Sequence, residues 1–145
     1  MFSTKGRYAI RVLIDIAENS NGGYIRLKDI AARQEISKKY LEIIVKEMVA
    51  GHLLIGTSGR GGGYRLCREP EEYTIGEVLE LMEGTLSPVA CLAGEGNICP
   101  RQSFCRTLPM WTEFDQMVRD FFYGKKLTDL LAPSSPAGPA AEPSS

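Results

Sequence analysis

The chain has 145 residues, 43% hydrophobic and 24% charged, with a formal net charge of −1. That size and balance fit one compact unit with a small appendage, and they exclude a wholly disordered chain and a global polycation. The near-neutral total hides a segregation: residues 1–68 carry 12 Lys/Arg against 6 Asp/Glu, whereas residues 69–145 carry 5 against 12. A basic first half on an acidic body is the pattern of a surface that faces a polyanion, because the local field, not the total charge, attracts nucleic acid.

In chain order, Thr4 to Asn19 reads as an amphipathic helix opening on a cap residue, with Ala9, Ile10, Leu13, Ile14 and Ala17 at helical spacing. The cluster Asn19-Ser20-Asn21-Gly22-Gly23 breaks it, and Tyr24-Ile25-Arg26 is a short extended piece. Leu27 to Arg33 forms a second helix of about two turns with Leu27, Ile30 and Ala31 inward. Ser37 caps a third helix whose buried stripe is Tyr40, Leu41, Ile44, Val45 and Met48, with Gly51 as its C′ residue. The period then changes. Leu53-Leu54-Ile55 and Tyr64-Arg65-Leu66-Cys67 read as strands around the glycine-rich basic turn of residues 56–63, and Pro70 closes the unit. A short helix, a two-helix hairpin and a glycine-rich strand pair make a winged helix-turn-helix, whose second hairpin helix would enter a DNA groove.

Beyond it, Thr74-Ile75-Gly76-Glu77 is a capping box that opens a helix carrying Ile75, Val78, Leu79 and Met82 and ending at Gly84. Residues 84–106 lack a clean period and hold three of the four cysteines. Thr107 and Pro109 start a further helix with Met110, Trp111, Phe114, Met117, Val118, Phe121 and Phe122 at spacings of 3 or 4, which Gly124 breaks. One helix of a slender domain does not bury so many large groups alone, so Trp111, Phe114, Met117, Val118 and Phe121 are expected to face a second subunit. Thr128 to Leu131 forms a last short turn, and residues 133–145, mostly Pro, Ser and Ala, read as a disordered tail.

No apolar run approaches the ~20 residues a bilayer-spanning helix needs, and no apolar block precedes a signal cleavage site. The expectation is a cytoplasmic protein with no membrane partner. Four cysteines are too few for a disulfide scaffold, so in a reducing compartment they are free, metal-binding or redox-active. Cys67, at the end of the second wing strand, reads as a small buried hydrophobe. With one histidine, His52, and no paired carboxylates framed by glycine turns, no acid–base constellation stands out, and the chain does not read as an enzyme. The glycine run lacks the Lys-Ser/Thr of a phosphate loop.

Three features taken together resemble one family: Ser37-Lys38-Lys39-Tyr40-Leu41-Glu42; Gly59-Arg60-Gly61-Gly62-Gly63-Tyr64-Arg65-Leu66; and Cys91, Cys99 and Cys105 followed by Trp111. It is the family of bacterial iron–sulfur and thiol-responsive repressors that includes IscR, NsrR and CymR. The similarity covers about residues 1–132, and the wing is its most specific part.

The resemblance implies a mostly α fold with a small β wing: a winged helix-turn-helix at 1–70, a cysteine-containing sensor loop with dimerisation helices at 71–132, and the tail. It also implies a homodimer on a roughly palindromic double-stranded operator, with the recognition helix in the major groove and the wing in the minor groove. Ser37 would then approach the phosphates beside its capping role, and Lys38 and Lys39 would meet phosphates or a guanine edge. Tyr40 either joins them or packs inward, and Arg60 enters the minor groove.

Cys91, Cys99 and Cys105 would be ligands of a two-iron two-sulfur cluster, since thiolates are the soft donors that iron selects. The first gap has seven residues where members of the family commonly have five, and Leu108 stands where some have histidine. Arg7 stands nearest the acidic residue that others supply from the first helix, so the fourth ligand is unknown; Glu95, an external thiol or water could complete the set. Cysteine redox chemistry without a cluster, zinc, or no sensory chemistry at all are open at this point. The alternative reading is a cluster-free repressor of sulfur metabolism, like CymR, regulated by a partner protein.

Overall fold

The computed structural model describes residues 3–87 and 106–132. Helix α1 (Thr4–Asn19) is capped by Ser3, one residue ahead of the expected position, whose hydroxyl accepts from the Gly6 N–H at 3.4 Å. Ser3 in turn donates its N–H and hydroxyl to Glu83 at 2.8 and 2.9 Å. Glu83 is the last residue of α4 (Ile75–Glu83), so a carboxylate sits at the positive end of the α1 dipole. The two helices approach so closely that a Cβ on Gly6 would run into the Glu83 carboxylate. The buried apolar side chains of α1 are Ala9, Val12, Leu13 and Ile16, with Ile10, Ile14 and Ala17 only half-buried. The stripe is wider than the expected one because α1 packs on α2 and α3 as well as on α4.

Helix α2 (Leu27–Gln34) buries Ile30 and ends at Glu35 in the left-handed conformation, φ 57°. Helix α3 (Lys38–Ala50) follows at once, capped by Ser37, and buries Leu41, Ile44, Val45 and Met48. Its C-terminus departs from expectation. Gly51 has φ −90°, and the left-handed residue is His52, φ 64°. The Leu53 N–H reaches the Met48 carbonyl at 2.8 Å and the His52 N–H reaches Val49 at 3.1 Å, the paired bonds of a Schellman stop. Gly51 meets a different demand, since a Cβ there would lie 2.5 Å from the Leu81 side chain of α4.

Strands β1 (Leu54–Thr57) and β2 (Gly63–Leu66) pair antiparallel with Leu54 opposite Leu66 and Thr57 opposite Gly63. Ile25 exchanges two backbone hydrogen bonds with Tyr64, 2.9 and 2.8 Å, tying the extended Tyr24–Arg26 piece to the wing. Gly63 permits this approach: it has φ 147°, and a Cβ would lie 2.6 Å from the Ile25 carbonyl carbon. Strand alternation also corrects the reading of Cys67, which is free and exposed. Leu66 turns toward the core, so Arg65 and Cys67 share the outward face.

The capping box forms as expected, the Glu77 N–H donating to the Thr74 hydroxyl at 3.2 Å and the Thr74 N–H to Glu77 at 3.0 Å. Glu77 also accepts a bidentate pair from Arg68 at 2.8 and 3.1 Å. Burial opposes its ionisation, but Arg68 and Thr74 outweigh that and hold its carboxyl below the ordinary range. Its contribution to stability is therefore present at neutral pH and is lost as pH falls through the carboxylate range.

Helix α5 (Leu108–Tyr123) lies on α4, with Val118 and Phe122 against Ile75, Leu79 and Leu86. The Tyr123 ring sits where a Cβ on Gly76 would be, and its hydroxyl donates to Glu80. Burial, then the Glu80 carboxylate, pushes the Tyr123 phenol up to about 12. After α5 the chain returns beside Tyr73, with the Leu127 N–H on the Tyr73 carbonyl at 3.0 Å and Leu127 fully buried in the main core.

Among the described residues, the main core encloses one charged group. Asp15 is 2% exposed and accepts from Arg33 at 3.0 and 2.8 Å and from Gln34 at 2.9 Å. Arg11 reinforces the junction by donating to the Gln34 side chain at 3.0 Å and to its carbonyl. The hydrogen bonds to Asp15 raise the Arg33 pKa despite its partial burial.

Arg33→Ala leaves a buried carboxylate with only Gln34. It should cost about 2–3 kcal/mol, less than for a fully enclosed pair because solvent reaches the guanidinium. A urea unfolding midpoint unchanged from wild type would contradict this. His52→Gly relieves the left-handed strain and should stabilise the fold by about 1 kcal/mol, read as a higher midpoint at constant slope.

Candidate nucleic-acid interface

The second hairpin helix begins at the surface. Lys38 and Lys39 are exposed, while the Ser37 hydroxyl accepts from the Tyr40 N–H at 3.1 Å and is used as a cap. Tyr40 is half-buried, its ring edge-on to Tyr8 at 5.7 Å, and Arg11 lies 5.0 Å over Tyr8. Through this ring contact Tyr40 packs on α1.

At the wing tip, residues 58–62 turn on Gly59 and Gly61, φ 89° and 77°, closed by the Gly62 N–H on the Gly59 carbonyl at 2.9 Å. Arg60 projects between these two left-handed glycines and is exposed. The wing base is held by a residue without a local sequence signal. Tyr73, fully buried, donates its hydroxyl to the Leu53 carbonyl at 2.7 Å and accepts from the Cys67 N–H at 2.9 Å. One phenol oxygen thus joins the start of the first strand to the end of the second. Burial pushes that phenol's pKa up, and Arg68 stacks 4.4 Å over its ring.

The structure brings Lys38 and Arg60 to one cleft of about 520 Å3, together with Arg26 and Lys28 from the start of α2. The latter two do not stand out in the sequence; their signal is position, since the first hairpin helix crosses the backbone in this motif. Among the described residues, Lys5, Arg33, Arg68 and Arg119 form salt bridges, whereas Arg26, Lys28, Lys38, Lys39, Lys46 and Arg60 form none. Cations left unpaired on one side keep their field for an outside anion.

The stripe on α5 divides. Trp111 and Val118 are half-buried, while Phe114, Met117 and Phe121 are exposed, at 38%, 61% and 56%, and Met110 adds to the exposed set. Cys91, Cys99 and Cys105, with Glu95 and the 133–145 tail, lie outside the described residues. Among those described, no group of three or more His, Cys, Asp or Glu could hold a metal ion, and no helix is long and apolar enough to cross a membrane.

A helix-turn-helix with a two-stranded wing and exposed cations on one side is the architecture of a DNA-binding transcriptional regulator, and similarity to known proteins gives its class. The chain belongs to the Rrf2 family, whose model, described as an iron-dependent transcriptional regulator, matches residues 2–133. It is 34% identical to protein rrf2 of Nitratidesulfovibrio vulgaris over 92% of this chain and 88% of that one. It is 32% identical to the HTH-type transcriptional regulator IscR of Aliivibrio salmonicida over 89% and 76%. Among solved structures, CymR, the global cysteine regulator of B. subtilis, superposes with a TM-score of 0.71 at 30% identity, over 90% of this chain and 95% of that one.

Lys38→Ala and Lys39→Ala should each lower the slope of log affinity against log salt by about 1, weakening all duplexes alike. Arg60→Ala should lose most on duplexes with A·T-rich flanks, where the minor groove is narrow. Affinity independent of salt in wild type and variants would refute this assignment.

Proposed function

We propose that this chain is a homodimeric repressor that binds a roughly two-fold double-stranded operator and is controlled through its cysteine segment. The observation that carries the DNA reading is the convergence of unpaired Arg26, Lys28, Lys38 and Arg60 on one cleft between the helix-turn-helix and the wing. Ser37, Lys38 and Lys39 meet phosphates and base edges in the major groove, and Arg60 enters the minor groove. Tyr40 supports the start of the recognition helix from behind.

The dimer reading rests on α5. Phe114, Met117 and Phe121 form an apolar face exposed in the single chain, and Trp111 and Val118 flank it. A two-fold axis that pairs two such faces buries them and sets two recognition helices on successive turns of one DNA face.

We assign a two-iron two-sulfur cluster to Cys91, Cys99 and Cys105: the family description, iron-dependent, supports a role for iron, and three thiolates are a donor set suited to it. A group held there would link the end of α4 to the start of α5 and so couple the sensor segment to the dimer geometry. A second reading, repression without a cluster and under a partner protein's control, draws on the likeness to CymR and on the missing family histidine at Leu108.

One anaerobic preparation tests these points together. Wild type is expected to sediment as a dimer at tens of micromolar and to contain iron and acid-labile sulfide, with Trp111→Ala and Phe114→Ala weakening both association and operator binding. Replacing Cys91, Cys99 or Cys105 with Ala should remove the iron, whereas Cys67→Ala should retain it. A monomer refutes the dimer face; an iron-free wild type after reconstitution favours the cluster-free repressor.

A further inference from the structure

The exposed face of α3 carries Lys39, Glu42, Ile43 and Lys46, one continuous stripe at helical spacing. Three of the four are charged, as a solvated or DNA-facing helix requires. Ile43 is not: it is 50% exposed, the one large apolar side chain left open on this helix among the described residues. A β-branched residue there loses helix propensity and gains little from intrachain packing, which Leu41, Ile44, Val45 and Met48 already supply on the opposite side. Glu42 and Lys46 border the groove toward the wing, together with Val49, and Ile43 is not part of that lining.

We propose that Ile43 is a specificity-determining residue that reads the 5-methyl group of thymine in the major groove. The proposal rests on the DNA-binding reading above. Lys39 and Lys46, unpaired on the same stripe, draw the helix between the phosphate walls, and this charge complementarity identifies the occupant of the face as a duplex. The 5-methyl of thymine is the apolar feature that an unmodified major groove offers. Ile43 has no donor or acceptor, so set against any other base edge it would cover polar groups without pairing them. The side chain therefore selects A·T pairs with the thymine methyl turned toward it, at one position in each half of a two-fold site.

The test uses the full chain, and duplexes that the wild-type protein enriches from a random library define the bound sequence. Each thymine is then replaced singly by deoxyuridine, which keeps the pairing edge and lacks the methyl. At one thymine per half-site, wild-type affinity should fall about fourfold, the factor expected for losing one buried methyl. Ile43→Ala, at an exposed position, should bind the two duplexes equally while keeping the wild-type salt dependence. Equal wild-type affinity for thymine and deoxyuridine at every position would overturn the proposal while leaving DNA binding intact, as would an Ile43→Ala variant that still distinguishes them. A library yielding no enriched duplex would overturn the DNA-binding reading itself, and this inference with it.

Discussion

The arrangement of the DNA-binding half depends on one buried carboxylate. Asp15 lies in the C-terminal part of α1 inside an apolar core and is tolerable there because Arg33 and Gln34 at the end of α2 supply three hydrogen bonds. That demand fixes the C-terminal turn of α2 against α1, and the chain leaves this point through Glu35 directly into the cap of α3. The direction in which the recognition helix leaves the core is thus set where the charge is neutralised. At its other end α1 receives Glu83 from α4, so one helix carries the geometry from the hairpin to the C-terminal elements.

Charge is divided by role. Arg33, Arg68 and Arg119 are spent on carboxylates that hold helices and turns together. Among the described residues, Arg26, Lys28, Lys38, Lys39, Lys46 and Arg60 form no salt bridge, and the acidic surplus lies in the second half of the chain. A protein of near-zero net charge can therefore present a strong local positive field without being a polycation, and its complex with a polyanion should be strongly salt-dependent. The wing shares this logic of positioning: Tyr73 clamps its base, Gly63 brings it against Ile25, and only then does the position of Arg60 mean anything.

Much of the architecture is legible in the sequence because its causes are local. The helices follow from apolar spacing, the Thr74–Glu77 box from two residues three apart, and the wing from glycines that take left-handed conformations. The strands extend further toward the tip than expected, through Thr57, because Thr57 and Gly63 still pair. His52 escapes sequence reasoning as the left-handed residue because Gly51 is the better candidate on propensity. Packing against Leu81 claims Gly51 for another purpose and leaves the strained position to its neighbour.

By itself the sequence determined the winged helix-turn-helix, the segregated charge, the oversized apolar stripe near the C-terminus and the resemblance that carries the cysteine segment, all of them set by spacing and composition. Tertiary structure decided the rest. In the sequence Asp15 is only a charge interrupting an apolar run, since burial of a carboxylate depends on what another helix brings to it. Cys67 reads as buried because free cysteine is among the residue types most often found inside, and strand alternation puts it outside. Tyr73 and the cleft shared by Arg26, Lys28, Lys38 and Arg60 depend on bringing together residues up to 34 positions apart, from Arg26 to Arg60, a juxtaposition that no local pattern encodes.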